Sequence, residues 1–174
     1  MLQSNLSIYL INSIKSFFGC IFYQLERLLM QKEKRIPVLV VEDNELLLSF
    51  YASSLSDLAE VRLITAQNGF EGLIEVSAHN PQIAIVDLDM PRFNGFQMLG
   101  ILAKDTSYCP KHIFVVSGLD EEEIERRGGI PPHAELVPKK RISAESIHSM
   151  VKEKLLLMKN TTCATDVRSI SHMA

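Results

Sequence analysis

A chain of 174 residues has room for one domain of ordinary size plus flanking segments, and 47% hydrophobic against 22% charged residues excludes a disordered or fibrous protein. A formal net charge of −3 and a pI near 6.0 argue against a nucleic-acid surface, which needs a basic stripe. The basic runs Lys32, Lys34, Arg35 and Lys139, Lys140, Arg141 are short, lack interleaved aromatics and read as solvated faces. Cys20, Cys109 and Cys163 are odd in number, widely spaced and without a CxxC, which supports neither a disulfide framework nor a zinc site and fits thiols in a reducing cytosol.

The first thirty residues are rich in Ile, Leu, Phe and Tyr, but Lys15, Glu26 and Arg27 and several polar residues interrupt them, which argues against a membrane span. No positive charge precedes this stretch within residues 1–5, so it does not read as a signal peptide. Ile11, Ile14, Phe18, Ile21, Leu25 and Leu28 recur at intervals of 3 and 4, a short heptad seam. The spacing predicts an amphipathic helix that forms a homodimer through residues 8–30, docks on its own domain or lies on a membrane surface. Met30 is an alternative start, because the chain from there reads as a complete domain.

After a basic break, residues 36–41 are a continuous apolar run with β-branched members, the pattern of a parallel strand buried on both faces. It ends at Glu42-Asp43-Asn44, where Asn44 or Asp43 can cap a helix over 45–56. Residues 61–66 read as a strand, and 70–78 as a helix with Phe70, Leu73, Ile74 and Ser77 on one side, stopped by Asn80-Pro81. A wholly apolar strand over 83–86 ends at Asp87, a loop follows, and Gly95 leads into a helix to about 104. A strand over 112–116 ends at Ser117-Gly118, and 120–127 is a short, charged helix. The strand 134–137 ends at Pro138-Lys139, and Ser143 caps a last helix to about 158 with Ile147, Met150, Val151, Lys154 and Leu155 at helical spacing. Residues 159–174 lack periodicity and are expected to be disordered. The expected organisation is therefore 1–35 helix and linker, 36–158 domain, and 159–174 tail.

Strands alternating with helices predict an α/β fold with a five-stranded parallel sheet, in which ligands bind outside the carboxyl ends of the strands. Glu42, Asp43, Asp87, Ser117 and Lys139 all fall at such ends. Carboxylates brought that close raise one another's pKa unless a cation sits among them, and Mg²⁺ suits an all-oxygen site. One carboxylate can then accept a phosphoryl group, with a lysine and a hydroxyl as donors to its oxygens.

At these positions the chain resembles the receiver domain of two-component response regulators. The residues that carry the resemblance are Val40-Val41-Glu42-Asp43-Asn44, Val86-Asp87-Leu88-Asp89-Met90-Pro91, Asn94-Gly95, Val115-Val116-Ser117-Gly118 and Leu136-Val137-Pro138-Lys139. The resemblance implies a doubly wound, flavodoxin-like (βα)5 domain with Asp87 as phosphoacceptor. Glu42, Asp43, Asp87 and the backbone carbonyl of Asp89 would hold Mg²⁺. Lys139 would pair with the phosphoryl group and Ser117 would move to hydrogen-bond it. It also implies a histidine kinase or histidine phosphotransfer protein as donor, a cytoplasmic location, and signalling through an unknown downstream protein rather than enzymatic turnover. Leu136 stands at the aromatic switch position, and Lys140 where a proline is common. With only the short segment after 158, the chain is expected to act as a stand-alone receiver without a DNA-binding output.

Two rival readings remain in view. A haloacid dehalogenase-type phosphatase also uses an Asp-x-Asp after a strand, which Asp87-Leu88-Asp89 fits, but there the acidic pair follows the lysine, whereas Glu42-Asp43 comes first. A receiver-like protein-binding module independent of phosphorylation is the other, suggested by Leu136 and the charged fourth helix.

Overall fold

The computed structural model describes residues 35–104, 107 and 109–170, together with 19, 21 and 24, and over 161–170 the backbone alone. Apart from positions 19, 21 and 24, the expected N-terminal helix and its dimer seam lie outside the described residues. Strand β1 (Ile36–Val41) is followed by α1 (Glu45–Leu55), β2 (Val61–Ala66), α2 (Gly69–His79), β3 (Ile83–Asp87) and α3 (Gly95–Leu102). Then come β4 (His112–Ser117), α4 (Glu121–Arg126), β5 (Ala134–Pro138), a 3₁₀ turn Lys139–Arg141 and α5 (Ala144–Ile170). The strands form one parallel sheet of order β2-β1-β3-β4-β5, the flavodoxin-like winding expected from the sequence.

The strands read as unbroken apolar runs because helices cover both faces. Alternate side chains serve two cores. Val38, Val40, Ile83, Ile85, Phe114 and Val116 pack against Tyr51 and Leu55 of α1 and Ile147, Val151 and Leu155 of α5. Leu39, Val41, Ala84, Val86, Ile113 and Val115 pack against Val76 of α2, Met98, Leu99 and Leu102 of α3 and Ile124 of α4. Lys154, on the buried face of α5, extends over the Phe114 ring at 5.6 Å and brings its ammonium 2.6 Å from Glu135.

Short polar residues fix where each loop gives way to a helix. Asn44 Oδ1 accepts from the Leu46 amide at 2.9 Å, Asn68 from Glu71 at 3.0 Å and Asp120 from Glu123 at 2.8 Å. Asn94 accepts from the Gln97 amide while Gln97 accepts from the Asn94 amide, both at 3.0 Å, a capping box. Ser143 accepts from the Ser146 amide at 3.1 Å, as its place in the sequence predicts.

The side of α2 that carries Phe70 and Ile74 is exposed, and its buried residues are Gly69, Gly72 and Val76. A Cβ on Gly72 would lie 2.8 Å from the Met98 sulfur, so α2 approaches α3 along its glycines, with Val76 and Leu73 on the core and Phe70 and Ile74 outward. One expectation is corrected: the last helix does not stop near 158, and its backbone stays helical to Ile170, because no glycine or proline breaks it and periodicity bears on burial rather than on continuation. No helix among the described residues is long and apolar enough to cross a membrane.

Candidate functional site

Sheet register carries the predicted residues to one edge. Val41 pairs with Val86, so Glu42 and Asp87 are the next residues on adjacent strands. Asp87 pairs with Val116, and Ser117 with Pro138, which brings Ser117 and Lys139 to the same end. The strand order reverses between β1 and β3, and this switch point is where the carboxylates meet.

Glu42 and Asp87 are 1% and 2% exposed, buried far beyond what isolated carboxylates tolerate. Lys139, half-buried, is their counter-ion: its Nζ donates to Asp87 Oδ2 at 2.8 Å and to Glu42 Oε1 at 3.5 Å. The same ammonium stands 3.1 Å from Glu42 Oε2 but off the hydrogen-bonding direction, so this buried oxygen has charge nearby and no hydrogen bond. Burial, and then the Asp87 charge, push the Glu42 pKa up, with Lys139 offsetting part of the rise. Burial acts to lower the Lys139 pKa, but the Asp87 hydrogen bond and charge together with Glu42 outweigh it, and the net shift is upward.

Asp43 stays exposed beside this pair, and Glu42, Asp43 and Asp87 each offer an oxygen within 4.8 Å of the others. Three convergent carboxylate oxygens, one of them a buried acceptor without a hydrogen bond, fit a hard divalent cation such as Mg²⁺.

The loop after β3 is held from several sides. The Gly95 amide donates to the Leu88 carbonyl at 3.1 Å, and the Gly69 amide ties the Phe93 carbonyl to α2 at 2.8 Å. The Asp89 amide lies 3.3 Å from Asp87 Oδ1. Ser117 is buried, and its Oγ accepts from the Leu119 amide at 3.1 Å. Beside it a cleft of about 630 Å³ opens between β5 and α4, with Ser117, Gly118, Leu136, Lys139 and Lys140 among its walls. Leu136 thus borders the cleft without filling it.

Sequence reasoning missed two neighbours of the site. Tyr51, on the buried face of α1, has its phenol pKa pushed up by burial and then by the Glu42 and Asp87 charges. Arg127, at the end of α4, reaches Asp89 Oδ1 at 3.3 Å. No spacing rule links residues 38 apart, so only the fold reveals that contact. The cysteine reading also gains a contact: Cys109 Sγ lies 3.6 Å from His133 Nε2, and burial raises the thiol pKa, which favours a hydrogen-bonded thiol over a thiolate.

The family model of the response regulator receiver domain matches residues 38–152. The chain belongs to this family. Among curated proteins it is 32% identical over 91 residues to a protein-glutamate methylesterase/protein-glutamine glutaminase of Nitratidesulfovibrio vulgaris, a match covering 52% of this chain and 24% of that protein. It is 32% identical over 83 residues to an uncharacterized response regulatory protein of Shewanella oneidensis, covering 47% of this chain and 34% of that one. The receiver therefore spans about a quarter to a third of the length of these relatives. Among solved structures, the response regulator domain of Thermotoga maritima CheB superposes with a TM-score of 0.55 at 23% identity, covering 72% of this chain and 97% of that one. The signal receiver domain of a putative Luxo repressor protein from Vibrio parahaemolyticus gives 0.61 at 19% identity, covering 75% and 97%. Phosphoryl transfer is the work of this receiver family, and the phosphatase reading gives way to it.

Proposed function

We propose that Asp87 accepts a phosphoryl group from a phosphohistidine on a histidine kinase or histidine phosphotransfer protein, and that the phosphorylated receiver signals by protein contact in the cytoplasm. The observation that carries this reading is the pairing of Asp87 with Lys139 at 2.8 Å inside a cluster of three carboxylates at the sheet's switch point. One carboxylate oxygen of Asp87 forms the new O–P bond as the P–N bond breaks, and the bonding pair returns to the donor imidazole nitrogen. Lys139 holds the Asp87 carboxylate in place at the start, then pairs with the phosphoryl oxygens. The Ser117 hydroxyl leaves the Leu119 amide to donate to one of them.

Mg²⁺, held by Glu42, Asp43, Asp87 and the Asp89 carbonyl, would supply neutralisation of the developing phosphoryl charge. A second reading, binding without phosphate cycling, has Leu136 in its favour, but the acid, hydroxyl and lysine set supports the first. Incubation with acetyl phosphate and Mg²⁺, followed by intact-mass measurement, is expected to add one phosphoryl group. EDTA or Asp87→Asn is expected to abolish the addition. Equal incorporation in Asp87→Asn would transfer the role to another residue.

A further inference from the structure

Arg127 is the residue that ties the phosphoacceptor loop to α4. Its Nη1 lies 3.3 Å from Asp89 Oδ1, and its Nε donates to Glu123 Oε1 at 2.6 Å. The Asp89 amide in turn lies 3.3 Å from Asp87 Oδ1. A polar line thus runs from the acceptor carboxylate through Asp89 and Arg127 to the middle of a helix in another part of the sequence. Exposed ion pairs add little to folding stability, so a structural brace is a weak account of this one.

The helix it reaches is lightly anchored. α4 has six residues, and Ile124 is its buried one. Behind it Gly128 and Gly129 take left-handed φ values of 113° and 72°, and a Cβ on Gly128 would meet nothing within 4 Å. On the β5 side Leu136 leaves the cleft beside Ser117 open. Few apolar contacts and a glycine pair at one end describe an element that shifts at small cost.

We infer that Arg127 is a positioning residue that reports the state of Asp87 to α4, exchanging Asp89 for the phosphoryl oxygens when Asp87 is modified. A phosphoryl group carries about −1.5 to −2 charges near neutral pH, against one for the Asp89 carboxylate. A guanidinium fork binds such oxygens in pairs, whereas it meets Asp89 through a single nitrogen. The exchange draws the end of α4 toward the site and steadies it. This inference rests on Asp87 being the phosphoacceptor.

The test is hydrogen–deuterium exchange of the full chain, with and without beryllofluoride and Mg²⁺ as the phosphoryl mimic, reading peptides that cover 85–90 and 121–127. In the wild type both are expected to exchange more slowly with the mimic. In Arg127→Ala the slowing over 121–127 is expected to be lost while that over 85–90 persists, and Arg127→Lys, which keeps charge but not the fork, should show a reduced response. Asp89→Asn should leave resting exchange over 121–127 nearly unchanged, since the exposed pair adds little stability, and keep the response. Unchanged slowing over 121–127 in Arg127→Ala would overturn the coupling alone. No response over 85–90 in the wild type would remove the phosphoacceptor reading and the coupling with it.

Discussion

Gly95→Ala is expected to destabilise the domain by about 3 kcal/mol or more, a large share of the stability of a domain this size. A Cβ there would sit 2.1 Å from the Asp87 carbonyl oxygen and 2.8 Å from the Leu88 Cα. Both are backbone atoms of the strand end that presents the acceptor, and neither can swing aside as a flexible side chain would. Relief requires Asp87 itself to move, so phosphoryl uptake should fall along with stability. Gly100, in the same helix, is the internal control: it is exposed and a Cβ there would meet nothing within 4 Å. Gly100→Ala should therefore stabilise by roughly 0.5–1 kcal/mol through lower backbone entropy in the unfolded chain. Urea unfolding followed by circular dichroism separates the two, and similar midpoints for both variants would contradict the close approach at Gly95.

Glu42→Gln is expected to act in opposite directions on stability and on metal binding. In EDTA the buried Glu42 Oε2 has no hydrogen bond and faces the Asp87 charge. Removing the ionised group should stabilise the metal-free protein by on the order of 1–3 kcal/mol, since Lys139 keeps Asp87 as its partner. The pH dependence follows from the direction of the Glu42 shift. Its folded pKa is raised above the ordinary 4.5, so the native state holds a proton that the unfolded state has released. Stability then falls as pH rises from 4.5 through the raised value, and the full cost is present above it. Lys139 contributes the reverse case: its folded pKa is raised above 10.5, so its contribution is complete below 10.5 and is lost as pH climbs through the raised value. Denaturation in EDTA on either side of the Glu42 transition should show the fall in the wild type and not in Glu42→Gln. Calorimetric titration should show weaker Mg²⁺ binding by the variant. A variant less stable than the wild type in EDTA would contradict the account of Glu42 as a strained acid awaiting a cation.

The sheet was legible because its strands carry their own signal. An apolar run such as 83–86 admits few alternatives to a strand buried on both faces, and a polar residue at its end marks the carboxyl edge. The candidate site was legible for the same reason, since Glu42, Asp87 and Ser117 each stand where such a run stops, with Asp43 and Lys139 at or one residue beyond those ends. Helix faces were less so. The spacing placed Phe70, Leu73, Ile74 and Ser77 on one side without saying which side is buried, and the close approach of α2 to α3 selects Gly69 and Gly72. The length of α5 was misjudged because loss of periodicity says that a helix has no face to bury, not that it has ended. The Asp89–Arg127 contact could not be read at all, because it depends on where a loop places the end of α4.

The central claim is that the carboxylate of Asp87 becomes an acyl phosphate. Borohydride reduction of the protein after exposure to acetyl phosphate and Mg²⁺ converts such an aspartyl phosphate to homoserine, which peptide mass spectrometry locates. Homoserine at position 87, absent without Mg²⁺ and absent in Lys139→Ala or much reduced there, is the predicted result. Homoserine at Asp43 or Asp89 instead, or none at any aspartate in protein that binds Mg²⁺, would contradict it.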